Sequence, residues 1–244
     1  MATMVACAAR TTLLLAHPAL WRASELARVV VPSLPTGFPA LDAELPGGGW
    51  PTASLTEILP AHEGIGELRL LGPALAGLSA AGKRRTWIAP PHRPYAPALA
   101  AAGIDLARLI IVEVSTPQET LWATEQALAS RACGAVLAWP AAVKYSELRR
   151  IQLAAEASRA LAVLFRTQQA AGVSSPAALR IALGTADGRL AVHILKRRGA
   201  PLDRPVLLLA APPAPRRLAA DRVALSSCSN FMLQLFHQQE TAPL

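Results

Sequence analysis

The sequence predicts an α/β fold: a mostly parallel sheet flanked by helices, with antiparallel strands along one edge. Two observations carry this. From residue 52 to residue 165, short apolar runs alternate with longer stretches of helical periodicity, as consecutive strand–helix–strand units require. From residue 178 onward the helical stretches stop, and three apolar runs follow one another across turns alone.

Taken in order, residues 1–35 read as an Ala-rich helical lead. Leu26, Val29 and Val30 lie at helical spacing, and Pro32 and Pro35 close the lead. Leu45 to Pro51 holds three glycines and two prolines in seven positions, so it is expected to be a turn. Thr52 to Leu59 reads as a strand ending at Pro60. Leu68 to Ala81 reads as a helix closed by Gly82. Arg85 to Ala89 is a strand stopped by Pro90 and Pro91, Pro97 to Ala102 a short helix ended by Gly103, and Leu109 to Val112 a strand. Thr116-Pro117-Gln118-Glu119 starts the next helix, with Thr116 as cap, Pro117 at the first helical position and Glu119 completing a capping box. That helix runs to about Ala132. Gly134 to Trp139 is a strand, Ser146 to Arg159 a helix and Leu161 to Phe165 a strand. The final strands are Leu179 to Leu183, Leu190 to Leu195 and Pro205 to Leu209, with Asp187-Gly188 turning between the first two. The domain boundaries expected are a lead at 1–35, an α/β core at 36–210 and a Pro- and Arg-rich flexible tail at 211–244.

Composition narrows the function. The chain has no run of eighteen apolar residues and no clear secretory leader, so a cytoplasmic protein with no membrane segment is expected. Cys7, Cys133 and Cys228 are far apart and odd in number, which fits neither a metal site nor a disulfide framework. The formal charge of +8 suits a nucleic-acid or acidic protein partner, although a GC-rich genome would also enrich arginine.

The loop after the first core strand is where a phosphate site belongs in such a sheet. Here it reads Pro60-Ala61-His62-Glu63-Gly64-Ile65-Gly66-Glu67-Leu68. Set against G-x-x-x-x-G-K-[ST], Ala61 stands for the first glycine and Gly66 keeps the second. Glu67 stands for the lysine and Leu68 for the hydroxyl residue. A carboxylate facing phosphate charge at about 4 Å and an effective dielectric near 20 costs roughly 4 kcal/mol per pair of unit charges. The strand that should end in a magnesium-orienting acid ends instead in Trp139-Pro140, and Ala89-Pro90-Pro91-His92 holds no catalytic glutamate. The expectation is a P-loop-type core with a degenerate nucleotide site: no catalytic residue, no cofactor and no metal. The histidines are scattered, and His92 reads as an ordinary surface residue.

A resemblance joins these observations. Pro35-Thr36-Gly37, Leu41-Asp42, the Gly47-Gly48-Gly49 cluster and Leu55-Thr56-Glu57-Ile58 resemble the segment leading to the phosphate loop in RecA recombinases, in order and spacing. Lacking the nucleotide residues themselves, the chain is similar to the ImuA family of RecA-like accessory proteins. His17 to Arg22 and Leu195-Lys196-Arg197-Arg198-Gly199 also look like features of that family. The resemblance covers roughly residues 13 to 210. It implies a non-catalytic role in SOS-response translesion DNA synthesis, beside an ImuB-type polymerase-like protein and an error-prone DNA polymerase. RecA and DNA are further partners to consider. The SulA cell-division inhibitors, which bind FtsZ, are similar in overall domain and supply the alternative. A modulator of RecA filaments is another.

Four basic clusters are candidates for contact: Lys83-Arg84-Arg85, Arg149-Arg150, Lys196-Arg197-Arg198 and Arg216-Arg217. The third is expected to project from a turn and meet phosphates or an acidic partner. In the tail, Leu233, Leu235 and Phe236 resemble the short apolar peptides that dock on the bacterial sliding clamp, without their leading glutamine. An extended anchor or a helix packing on its own domain or on a partner is the other reading.

Overall fold

The computed structural model describes residues 32–208. Ser33–Leu34 (β1) pairs antiparallel with Trp50–Pro51 (β2), and the single-turn helix Pro39–Asp42 (α1) lies between them in sequence. Trp50 and Leu41 are fully buried, and burying them draws this leader onto the core. The Asp42 carboxylate accepts from the Thr36 amide at 2.9 Å, closing the loop. Gly49 is required here, because a Cβ at that position would lie 2.1 Å from the Leu34 carbonyl oxygen. The expectation that residues 45–51 form only a turn is thus corrected at Trp50–Pro51. A two-residue ladder tolerates proline, and the buried indole fixes it in place.

The main sheet has eight strands in the order β10-β9-β8-β3-β7-β6-β4-β5. These are Ser54–Pro60 (β3), Arg84–Ile88 (β4), Leu109–Val112 (β5), Cys133–Ala138 (β6), Leu161–Phe165 (β7), Leu179–Ala186 (β8), Arg189–Lys196 (β9) and Val206–Leu208 (β10). From β8 to β5 the pairings are parallel, while β8–β9 and β9–β10 are antiparallel. The structure is therefore α/β with a mixed, mostly parallel sheet flanked by helices.

Helices cover the sheet because its parallel strands are apolar on both faces. Along β7, Leu161, Val163 and Phe165 point to one side and Ala162 and Leu164 to the other. The first side packs under helix Glu67–Ala80 (α2), which buries Leu70, Leu71, Ala74, Leu75 and Leu78. The second packs under Pro117–Ala129 (α4) and Tyr145–Ser158 (α5), through Leu128, Leu148, Ile151 and Ala155. The short helix Ala96–Ala101 (α3) buries none of its residues.

The α4 cap forms as its sequence requires. Thr116 Oγ1 accepts from the Glu119 amide at 3.2 Å, and the Glu119 carboxylate accepts from the Ser115 and Thr116 amides, each at 2.9 Å. Those backbone donors hold the Glu119 carboxyl below its ordinary pKa. Its contribution to stability is accordingly present above the usual carboxylate range and lost as pH falls through the lowered value. Thr116→Ala is expected to cost about 1 kcal/mol in urea unfolding at neutral pH.

In two of the basic clusters one arginine has a protein partner, while Lys83, Arg84 and Arg149 are exposed. Arg85 is fully buried in β4, where Nη1 donates to the Lys83 carbonyl at 2.8 Å and Nη2 to the Asp105 carbonyl. Burial pushes its pKa down, opposed by the nearby Asp105 carboxylate. Arg150 is held by Glu125, at 3.1 and 2.5 Å. The lead over residues 1–31, Cys7, Cys228, Arg216, Arg217, Leu233, Leu235 and Phe236 lie outside the described residues.

Candidate functional site

In an open parallel sheet, ligands bind beyond the carboxyl ends of the strands. At the end of β3 the chain passes through Gly64 at φ +75° and Gly66 at φ +117°, and Gly66 precedes the first residue of α2. Both backbones sit in the left-handed region that glycine adopts without strain. Their amides converge as in an anion-binding loop, but they already have a partner. Glu67 Oε1 accepts from the Gly64 amide at 3.2 Å, and Oε2 accepts from the Gly66 amide at 3.1 Å. The carboxylate also sits at the positive end of α2, where negative charge is stabilised. The chain's own carboxylate thus takes both glycine amides. Ala61 is tied elsewhere, its amide donating to the Leu183 carbonyl at 2.9 Å, and Leu68 packs against the core.

The end of β6 carries an aromatic stack. Trp139 lies over Phe165 with ring centroids 4.5 Å apart and planes 11° from parallel, and it meets Trp87 at 6.0 Å. Such contacts add about 0.5–1.5 kcal/mol per pair beyond simple burial. His92 is exposed and pairs with Glu63 at 2.9 Å across the loops after β4 and β3. In that much solvent the pair contributes little.

Below these loops lies a feature whose partners sequence reasoning missed. Glu57 in β3 is fully buried and binds two arginines: Arg166 Nη1 at 2.9 Å from Oε1, and Arg180 Nε at 2.6 Å from Oε2. Arg180 Nη2 also donates to the Ala170 carbonyl at 2.6 Å. The carboxylate thereby clamps the neighbouring strand β8 and the end of β7 to the centre of the sheet. An acid inside the apolar run Leu55–Leu59 signals that a cation must meet it. Which of the many arginines does so is not readable locally.

The Lys196-Arg197-Arg198 turn does not project as a unit. Lys196 Nζ donates to the Ser175 carbonyl at 2.8 Å. Arg197, only 14% exposed at its side chain, bonds the Glu44 carboxylate at 3.1 Å, the Glu44 carbonyl and the Ala200 carbonyl. It is a brace between the leader and the end of β9, because Glu44 offers it both a charge and a backbone acceptor. Arg198 stays exposed on the rim of a cavity of about 330 Å³ beside Ser54, Gln152 and Glu156. Arg197→Ala is expected to lower stability by about 2 kcal/mol in urea unfolding. Lys196→Ala with Arg198→Ala is expected to leave stability within about 0.5 kcal/mol.

Among the described residues, no group of His, Cys, Asp and Glu is placed to hold a metal ion, and no helix is long and apolar enough to cross a membrane. Cys133 is a free thiol, 3.1 Å from the Thr86 hydroxyl.

Comparison with known proteins places these elements. Residues 55–162, from β3 into β7, match the family model described as cell division inhibitor SulA. Protein ImuA of Caulobacter vibrioides is 32% identical over 134 residues, which cover 53% of this chain and 55% of that protein. The cell division inhibitor SulA of Edwardsiella piscicida is 30% identical over 100 residues, covering 41% of this chain and 60% of that protein. The alignments thus span a little more than half the length of these relatives. The chain is an ImuA- and SulA-like protein over this region.

Proposed function

We propose that this chain is a non-catalytic, RecA-like accessory protein of SOS-linked translesion DNA synthesis, working in the cytoplasm. It recruits or positions an ImuB-type polymerase-like protein and an error-prone DNA polymerase, with RecA and DNA as further contacts. The observation that carries the non-catalytic part is the Glu67 carboxylate seated on the Gly64 and Gly66 amides. A triphosphate entering this loop would have to displace a carboxylate and then face it, with no lysine to offset the charge. The Trp139–Phe165 stack argues the same way at the end of β6. The partner reading rests on the likeness to ImuA, together with the leader motif whose Leu41, Asp42 and Glu57 have definite structural roles.

Calorimetric titration of the full chain with magnesium-ATP tests the site. No binding heat at millimolar nucleotide is expected, and saturable binding with turnover would overturn the reading. Lys196 and Arg198 remain the exposed cations of their turn and are its candidate contacts for DNA or an acidic partner. Replacing both with alanine is expected to weaken that binding and flatten its salt dependence, and unchanged binding across a salt series would remove them from the interface.

A second reading, a division inhibitor that binds FtsZ, is favoured by the match of residues 55–162 to the SulA family model.

A further inference from the structure

The strands in the parallel part of the sheet begin level with one another. Leu109 of β5, Arg85 of β4, Ala135 of β6 and Leu161 of β7 share one row of the register. The residues just before that row therefore line one end of the sheet. Among them are Lys83, Arg84, Arg131 and Arg159, all exposed. β9 runs antiparallel to β8, so the exposed Arg198, after its last residue, comes to the same end. None of these five side chains has an ion pair or a hydrogen bond among the described residues. The other charges at this end are engaged. Asp105 lies 3.5 Å from Arg108, Glu44 takes Arg197 and Arg204, and Glu156 accepts from Gln152 at 2.8 Å.

One tetrapeptide occurs twice here. Ala129-Ser130-Arg131-Ala132 leads from α4 into β6, and Ala157-Ser158-Arg159-Ala160 leads from α5 into β7. Both turns are built the same way. The serine hydroxyl donates to the carbonyl three residues back, Ala127 at 2.8 Å and Ala155 at 3.0 Å. It accepts from the amide two residues on, Ala132 at 3.4 Å and Ala160 at 3.1 Å. The arginine backbones are left-handed, at φ +54° and +58°, where a chain leaving a helix ordinarily places glycine. Serine and alanine thus complete the connection without either guanidinium. Because β6 and β7 are neighbours, the repeat brings two unpaired like charges to adjacent strands. Such an arrangement gains nothing from the single chain's own contacts and points to an anion outside it.

We infer that this end of the sheet is a surface for duplex DNA, on which Lys83, Arg84, Arg131, Arg159 and Arg198 meet backbone phosphates. The inference rests on the reading of Arg198 as a DNA contact and carries it across the sheet. From β4 to β9 the strand order holds five spacings of about 4.8 Å, roughly 24 Å, or about two-thirds of a duplex turn. Charge selects this end over the other. There α2, α4 and α5 each begin with a glutamate in the first turn, Glu67, Glu119 and Glu147. Duplex fits better than single strand, because single strands are held largely by stacking on aromatic side chains. The exposed aromatics lie elsewhere, Tyr95 and Tyr145 at the starts of α3 and α5 and Trp122 within α4. Contacts to phosphates alone carry no sequence preference.

The test is fluorescence anisotropy of the full chain with a short labelled duplex of random sequence, over a salt series. The wild type is expected to bind with a log–log salt slope of about −4, as five phosphate contacts require. Two paired variants read the surface: Lys83→Ala with Arg84→Ala, and Arg131→Gly with Arg159→Gly. Each pair is expected to weaken binding about tenfold and to flatten the slope by about 2. Glycine also relieves the left-handed backbone, so the second pair is expected to keep or raise the thermal midpoint while losing affinity. If these arginines served only the helix carboxyl ends, the midpoint would fall and DNA binding would stay unchanged. No binding of duplex at low salt overturns the inference and leaves an acidic protein as what this end fits. So does a single strand bound more tightly than duplex, or a salt slope that both pairs leave unaltered. Should Lys196→Ala with Arg198→Ala alone weaken binding, the turn keeps its contact and the wider surface is refuted.

Discussion

Glu57→Ala is expected to lower the unfolding free energy by about 3–5 kcal/mol, read from urea denaturation followed by circular dichroism. The size follows from what remains behind. Arg166 and Arg180 are each at least nine-tenths buried at the side chain, so removing the carboxylate strands two guanidinium charges inside the sheet. With typical domain stability of about 5–15 kcal/mol, that is a large fraction of the whole. The network's net worth is a different quantity, because burying all three charges was itself expensive. Replacing Glu57, Arg166 and Arg180 together by apolar residues of similar volume is expected to recover most of the loss. If Glu57→Ala is nearly silent, the carboxylate is not the clamp described.

The second large effect is expected at Trp139. Trp139→Asp places an acid at the end of β6, where an ATPase would carry one. The variant loses the stack on Phe165 and the contact with Trp87, about 3 kcal/mol when half-burial and two aromatic contacts are combined. It gains no ATP hydrolysis, because Glu67 still occupies the loop amides. Thermal unfolding and a phosphate-release assay on the same preparation check both halves. Turnover above background would mean that the loop opens to nucleotide more readily than its hydrogen bonds imply.

What the sequence reveals and what it hides divide along physical lines. Local chemistry is legible. The Thr116–Glu119 cap is complete within four residues, and β5 and β7 match their apolar runs, Leu109–Val112 and Leu161–Phe165, residue for residue. The alternation of strand and helix fixes the sheet class because each connection is short. The fate of charges is not legible, since it depends on contacts distant in sequence. Glu57 meets Arg166 and Arg180 across 109 and 123 residues, and Arg197 reaches Glu44 across 153. Arg85 sits in a basic triplet that stands out as a cluster for contact, yet its strand is buried from that residue onward. The β1–β2 ribbon is too short to leave a periodic signal, and only the burial of Trp50 reveals it.

The candidate site follows the same division. That Glu67 directly follows the second of two closely spaced glycines can be read from the sequence. That its carboxylate bends back onto the amides of Gly64 and Gly66 depends on two left-handed glycines and the start of α2, which only the folded loop displays.

The most direct test of the functional account is co-purification of the tagged full chain from DNA-damaged cells, with the retained proteins identified. The account predicts recovery of a polymerase-like protein, lost at higher salt if the exposed cations Lys196 and Arg198 carry the contact. Recovery of FtsZ in its place would contradict it and assign the chain to control of cell division.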